Sequence, residues 1–289
     1  MKRLLFLLLV MVILSCWRRG NEPGSRIITV SIAPFKYFVE QIAGNNFRVN
    51  VMVPAGSNPH IYEPFPDQII KLSQSVAYIS NGYLGFEMTW LDRFYEINKN
   101  MKRLSIGGRI DPLTTTHHHE GDHIEGADPH YWVSPKCAMI IASSVKELLI
   151  ELDSQHSQQY EENYRILAGK INEVDRKADE LFSMGQKKAF MIYHPNLGYL
   201  ARDYGLEEIS VEYEGKEPSP SRLKELIDRA KKDDLNIILV QREYDTKNAR
   251  AIADETGASV VIIDPLSEDW YKSTMDIINT LHKSFENKK

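Results

Sequence analysis

Ser154–Met184 reads SQHSQQYEENYRILAGKINEVDRKADELFSM. Tyr160, Tyr164, Leu167, Ile171, Val174, Ala178 and Leu181 recur at alternating intervals of four and three, with charged and polar residues between them. That spacing places one apolar stripe on a continuous helix. No proline interrupts the segment, and Gly169 is its only weak point. At 1.5 Å per residue it would run about 46 Å. A helix of that length joins two lobes stiffly; the same periodicity would also suit an exposed coiled-coil arm.

On either side of this helix the chain alternates between strand and helix patterns. Before it, strands are predicted at 27–33, 47–53, 76–80 and 104–106, with helical spacing at 35–43, 68–72 and 86–97. After it, strands are predicted at 189–193, 209–212, 237–240 and 259–263, with helices at 197–204, 221–230, 249–256 and 269–285. Alternation of this kind gives βα units around a parallel sheet. The fold class is therefore α/β: two βα lobes with parallel four-stranded sheets, joined by one long rigid helix. The expected divisions are a leader at 1–15, a tether at 16–25, an N-terminal lobe at 26–152, the linking helix at 153–185 and a C-terminal lobe at 186–289.

Composition narrows the function. The 289 residues include 35 Lys+Arg against 40 Asp+Glu, for a net charge of −5, with 43% hydrophobic and 26% charged residues. That is ordinary globular protein. An acidic balance speaks against a nucleic-acid binder, which needs a basic face. Two cysteines cannot build a disulfide scaffold or a four-thiolate zinc site. Cys137 lies in an apolar stretch with Ala138, Met139, Ile140 and Ile141 and reads as an inert core residue.

The amino terminus reads as an address. Lys2 and Arg3 precede 11 apolar residues, Leu4 to Leu14. Spanning a bilayer takes about 20 residues, so the run is a secretory signal. It ends in Ile13-Leu14-Ser15-Cys16, which resembles the bacterial lipobox. The expectation is cleavage before Cys16, a lipid on that cysteine, and an extracytoplasmic protein anchored to a bacterial membrane.

Three histidines and one aspartate stand at strand ends or in proline-fixed loops. His60 follows the second strand in Gly56-Ser57-Asn58-Pro59-His60, and His130 sits in Asp128-Pro129-His130. His194 follows the strand at 189–193 directly, and Asp264 follows the strand at 259–263 in Asp264-Pro265-Leu266. Parallel α/β sheets bind ligands outside the carboxyl ends of their strands. Two of these residues come from each half, so a site between lobes would collect them all. Three neutral imidazoles and one carboxylate suit a four-coordinate Zn²⁺. Mn²⁺ would prefer more oxygen donors. Glu63 and Glu217 are candidates for orienting an imidazole N–H, and a solvated surface role suits each of them at least as well.

A second histidine cluster, His117, His118, His119 and His123, contains His119-Glu120-Gly121-Asp122-His123, which satisfies the H-E-x-x-H pattern of zinc hydrolases. That chemistry requires both histidines on one helical face. Gly121 breaks the middle, and no apolar periodicity supports a helix. The stretch reads as a chance match in a His- and acid-rich loop, which could catch metal weakly and pass it on.

At these residues the chain resembles the metal-binding lipoproteins of bacterial zinc/manganese ABC importers, over almost all of 26–286. The motifs that carry the resemblance are Gly56–Pro64, Asp128–Pro135, His194 with Gly198-Tyr199-Leu200 through Tyr204-Gly205-Leu206, Gly215–Pro220, and Glu255-Thr256-Gly257 leading to Asp264-Pro265-Leu266. The resemblance implies metal in a cleft between two lobes, held by His60, His130, His194 and Asp264. It implies an ABC permease and its ATPase as partners, a monomer, and no enzymatic activity. Manganese members carry a carboxylate where His194 stands, which favours zinc. An adhesin role is sometimes attached to relatives, and nothing in the residues bears on it. Two departures are a missing Cys pair in the second lobe and Gln241 where many relatives have Glu; neither is expected to touch a ligand. Affinity is expected to fall as the imidazoles protonate below about pH 6. One stiff helix between lobes implies small closure on binding, which a large zinc-induced compaction in solution scattering would refute.

Overall fold

The computed structural model describes residues 26–114, 126–183, 188–212 and 216–286. Strand β1 (Ile27–Ile32) is IITVSI, with all six residues buried. A continuous buried run of this kind belongs in the middle of a parallel sheet covered on both faces. It pairs with β2 (Arg48–Val53) on one side and β3 (Ser75–Ser80) on the other, and β4 (Lys102–Ser105) closes the order β2-β1-β3-β4. The second half repeats that order with β5 (Ala189–Ile192), β6 (Glu207–Ser210), β7 (Ile237–Gln241) and β8 (Ser259–Ile263), as β6-β5-β7-β8. Every pairing in both sheets is parallel. All the strands therefore point their carboxyl ends toward one edge of their sheet.

The connecting helices are α1 (Ala33–Ala43), α2 (Pro66–Ser73) and α3 (Gly85–Ile97) in the first half. In the second half they are α6 (Gly198–Tyr204), α7 (Pro220–Lys232), α8 (Lys247–Thr256) and α9 (Trp270–Glu286). None of these strand or helix ends differs from its sequence expectation by more than two residues.

One long helix joins the halves, and a second helix precedes it at the end of the N-terminal half. Helix α4 (Pro135–Leu152) was not expected. Ser134 caps it through Cys137 N and Pro135 starts it, as a helix N-terminus favours. Its buried face includes Cys137, Ala138, Ile141, Val145 and Leu148. Helix α5 (Ser157–Phe182) is the long one. Its 26 residues span about 39 Å at 1.5 Å each, and the expected first turn, Ser154–His156, is 3₁₀. Tyr160, Leu167, Ile171, Val174 and Ala178 of the predicted stripe are fully buried, and Tyr164 and Leu181 are partly so. The stripe packs on α1, α4 and α9, which leaves no exposed arm. Polar ties add to it: Asn163 Nδ2 donates to Ile42 O at 2.9 Å, and Tyr204 OH donates to Asp175 Oδ1 at 2.6 Å.

One core cluster runs through both halves, from Ile28 and Phe35 through Trp132 and Leu167 to Tyr199, Trp270 and Ile278. The two tryptophans lock it. Trp132 Nε1 donates to Pro265 O at 2.9 Å, and Trp270 Nε1 donates to Trp132 O at 2.6 Å. A smaller cluster around Met191, Val211, Ile238 and Ile252 covers the other face of the second sheet, beneath α7 and α8. Cys137 is a buried free thiol whose pKa desolvation raises to about 11, which keeps it protonated and inert.

Candidate metal centre

His60 sits in the loop that leaves β2. Its amide donates to Asn58 Oδ1 at 2.9 Å, a local turn that fixes the residue after Pro59. The loop's far end is held by Gln68, whose Nε2 donates to Val51 O and Met52 O at 2.8 Å each, while its Oε1 accepts from Phe65 N. Helix α3 begins at Gly85, directly against the His60 carbonyl. A Cβ there would stand 2.7 Å from His60 O, so only glycine allows the approach.

His130 is oriented by a residue two positions back. Asp128 Oδ1 accepts from His130 N at 2.8 Å and faces His130 Nδ1 at 2.8 Å. A carboxylate against Nδ1 places the ring proton there and leaves the Nε2 lone pair free for a ligand. Burial pushes the Asp128 carboxyl up, but the charge and hydrogen bonds of His130 outweigh it and hold it below the usual range. The segment is anchored from the first sheet by Asn81, whose Nδ2 donates to Pro129 O at 2.9 Å. Glu87 in turn holds Asn81, accepting from the Asn81 and Gly82 amides.

The second lobe also reaches this segment. Tyr199 OH donates to Asp128 O at 2.8 Å and accepts from Leu113 N at 3.0 Å. The histidine-rich stretch 117–123, with its H-E-x-x-H match, lies outside the described residues.

His194 follows β5 by two residues. Its Nδ1 faces Glu212 Oε2 at 3.0 Å. Tyr244 stacks on its ring, with centroids 4.8 Å apart and planes 14° apart. Gln241 grips its backbone in both directions: Gln241 Nε2 donates to His194 O, and His194 N donates to Gln241 Oε1 at 3.3 Å. Gln241 was expected to touch none of the candidate ligands; it holds the backbone of His194, so that expectation is corrected. A carboxylate at that position would have no hydrogen for the carbonyl.

The three rings converge. His60 Nε2 lies 3.2 Å from His130 Nε2 and 3.1 Å from His194 Nε2. All three donor atoms lie within 4.8 Å of one another. Nitrogens bound tetrahedrally to one Zn²⁺ at about 2.0–2.1 Å stand about 3.3 Å apart, so the spacing fits one ion. Burial, then the neighbouring His130 and His194, lowers the pKa of His60 to about 2. Burial also lowers that of His194, against the pull of Glu212. The rings of His60 and His194 are thus held neutral, with lone pairs available for a cation.

Asp264 stands apart from this group. It lies at the end of β8, with Oδ2 paired to Arg242 Nη1 at 3.1 Å and Oδ1 buried without a hydrogen-bond partner among the described residues. Glu63 and Glu217 are exposed, in line with the solvated surface role, and in their place Asp128 and Glu212 face the imidazoles. Both replacements left a signal in the sequence. Asp128 is two residues before its histidine. Glu212 follows from strand register, because β5 and β6 pair at a constant offset that sets Ile192 beside Ser210. Tyr244 left no comparable signal.

Two parallel βα lobes on a helical spine, with neutral imidazoles from both lobes gathered at the strand ends, define the metal-binding class of substrate-binding proteins. The sequence profile of the family described as zinc-uptake complex component A, periplasmic (ZnuA) matches residues 28–284, and the chain belongs to that family. It is similar to the zinc-binding lipoprotein AdcA of Streptococcus pneumoniae, with 26% identity over 98% of this chain; the chain spans 59% of AdcA's length. A putative metal-binding protein of Chlamydia trachomatis is 28% identical over 95% of this chain and 97% of its own. A crystal structure of ZnuA superposes with a TM-score of 0.83 and 36% identity, covering 90% of this chain and 99% of that one. The Mn-bound periplasmic metal-binding protein of Candidatus Liberibacter asiaticus shares the fold, with a TM-score of 0.75 at 24% identity over 89% of this chain and 100% of that one.

Proposed function

We propose that the protein captures Zn²⁺ outside the cytoplasm through His60, His130 and His194 and hands it to an ABC permease driven by an ATPase. The observation that carries this reading is the 3.1–3.2 Å spacing of the Nε2 atoms. Rings that close together, oriented by Asp128 and Glu212, repel one another once protonated and are relieved by a shared cation. Three nitrogens suit zinc; an oxygen-rich set would suit manganese. Asp264 is the remaining residue of the ligand set expected from the sequence.

The role is carriage, not chemistry: the family is a metal-binding one and not a family of enzymes. Attachment through a lipid on Cys16 and a monomeric state belong to the same reading. Among the described residues no helix is long and apolar enough to cross a membrane.

Native mass spectrometry tests the proposal. One tightly held zinc is expected in the parent, lost in His194→Ala. A parent that takes up no zinc, or a variant that retains it at full affinity, would refute the reading.

A further inference from the structure

We propose that Arg242 sets the cation preference of the histidine site by holding Asp264 out of it, so that cargo is taken through nitrogen and zinc is favoured over oxygen-seeking divalent cations. This rests on the metal-capture reading above.

The backbone of Asp264 is fixed close to the site. Asp264 O accepts from Ser267 N at 3.2 Å and from the Ser273 hydroxyl. The next carbonyl, Pro265 O, accepts from Trp132, whose ring lies 5.4 Å from that of His130. The Asp264 carboxylate does not join the group of donor atoms within 4.8 Å of one another that the three histidines form among the described residues. Its Oδ2 meets the Arg242 guanidinium, and both residues line a cavity of about 260 Å³ beside α9 to which none of the three histidines contributes. The backbone of Arg242 is fixed beside it, its amide donating to Ile263 O at 3.1 Å.

The arrangement leaves Asp264 Oδ1 buried without a partner among the described residues, an unfavourable state for a carboxylate oxygen that a bound cation would relieve. The ion pair opposing that move is weak. The Arg242 side chain is 63% exposed and that of Asp264 20%, and pairs this open to water contribute little. A small change at Arg242 is therefore enough to release the carboxylate. Carboxylate oxygen is a better partner for Mn²⁺ than for a zinc ion already held by three imidazoles.

Removing Arg242 also removes a positive charge near the site, which strengthens binding of every divalent cation alike. The ratio of affinities separates the two effects. In Arg242→Gln, Mn²⁺ affinity is expected to rise about two- to fivefold relative to Zn²⁺ in competition titrations, with a changed electron paramagnetic resonance spectrum of bound Mn²⁺. Arg242→Lys, which keeps the pairing charge, should restore the parental ratio. Adding Asp264→Asn to Arg242→Gln should abolish the relative gain while keeping any general one.

An unchanged ratio in Arg242→Gln, or a relative gain that survives Asp264→Asn, overturns the proposal. Glu243 also has a buried oxygen unpartnered among the described residues, so a gain removed by Glu243→Gln and not by Asp264→Asn would assign the recruitment to the wrong carboxylate and overturn it too. Failure of the capture reading looks different: the parent would hold no zinc, or would hold it without His194.

Discussion

In the N-terminal lobe His60 stands seven residues beyond β2 and His130 stands 25 beyond β4, whereas in the C-terminal lobe His194 stands two beyond β5. The strand orders of the two sheets are the same. Their ways of holding an imidazole differ. His60 and His130 are placed by turns local in sequence, through Asn58 and Asp128, and by glycine and asparagine contacts from neighbouring loops. His194 is placed by the sheet itself: Glu212 comes from beyond β6, Gln241 from the end of β7 and Tyr244 from just after it. One lobe positions its imidazoles by loop chemistry and the other by strand register. They should therefore fail differently when perturbed.

The largest contrast is expected at the orienting carboxylates. Loss of a partner behind a metal-binding histidine typically lowers metal affinity 10–100-fold. Asp128 carries two duties, since the oxygen that faces the His130 ring also accepts the His130 amide. Glu212 acts on its ring while the backbone of His194 stays gripped by Gln241. Asp128→Ala should accordingly lie near the upper end of that range and Glu212→Ala near the lower, measured by calorimetric zinc titration. The reverse order would mean that register, not the local turn, is the more critical support.

The same contrast explains what could be read in the residues beforehand. Strand–helix alternation places every strand, because burial on both faces leaves long apolar runs such as IITVSI. The stripe on α5 is legible because period and burial coincide. Helix α4 escaped notice although Ser134-Pro135 is a start signal; its apolar residues read as general core rather than as a period. His60, His130 and His194 were legible as polar residues at strand ends beside proline. Their convergence depends on how two sheets pack, which no local pattern encodes. Glu63 was favoured by nearness in sequence, but the loop turns it to solvent. The pairing of Asp264 with Arg242 is visible only once β7 and β8 are paired.

A smaller effect on metal retention is expected where loop and helix touch. A methyl group at Gly85 would meet the His60 carbonyl at 2.7 Å, backbone against side chain, with no flexible group to yield. Overpacking of this kind costs about 1–3 kcal/mol. Gly85→Ala should lower stability by that amount in urea unfolding and loosen zinc binding by displacing His60. The corresponding contact in the second lobe is gentler: a Cβ at Gly198 would lie 3.2 Å from Asp128 Oδ2. Gly198→Ala should be the milder variant. Equal costs would show that the His60 loop shifts freely.

The subtlest expected effect is on pH dependence, and it modifies the sequence expectation that zinc affinity falls below about pH 6. Burial, together with the charges of His130 and His194, lowers the pKa of His60 to about 2 in the folded chain. In the unfolded chain an imidazole titrates near pH 6.5. Below that value the unfolded state takes up a proton that the folded state refuses, so the metal-free fold loses stability as pH falls. The contribution is fully present above 6.5 and declines through the window down to about 2, by about 1.4 kcal/mol for each pH unit from this one ring. His194 shifts in the same direction, with Glu212 opposing it. Because the folded ring stays neutral, protons compete weakly with zinc at His60, and acid should act on the apo fold before it acts on the bound site. Urea unfolding of metal-free protein between pH 7.5 and 5 should show the decline, and His60→Asn should flatten it. A flat parental profile would mean that His60 titrates normally, and zinc release near pH 6 would then follow from the ring itself.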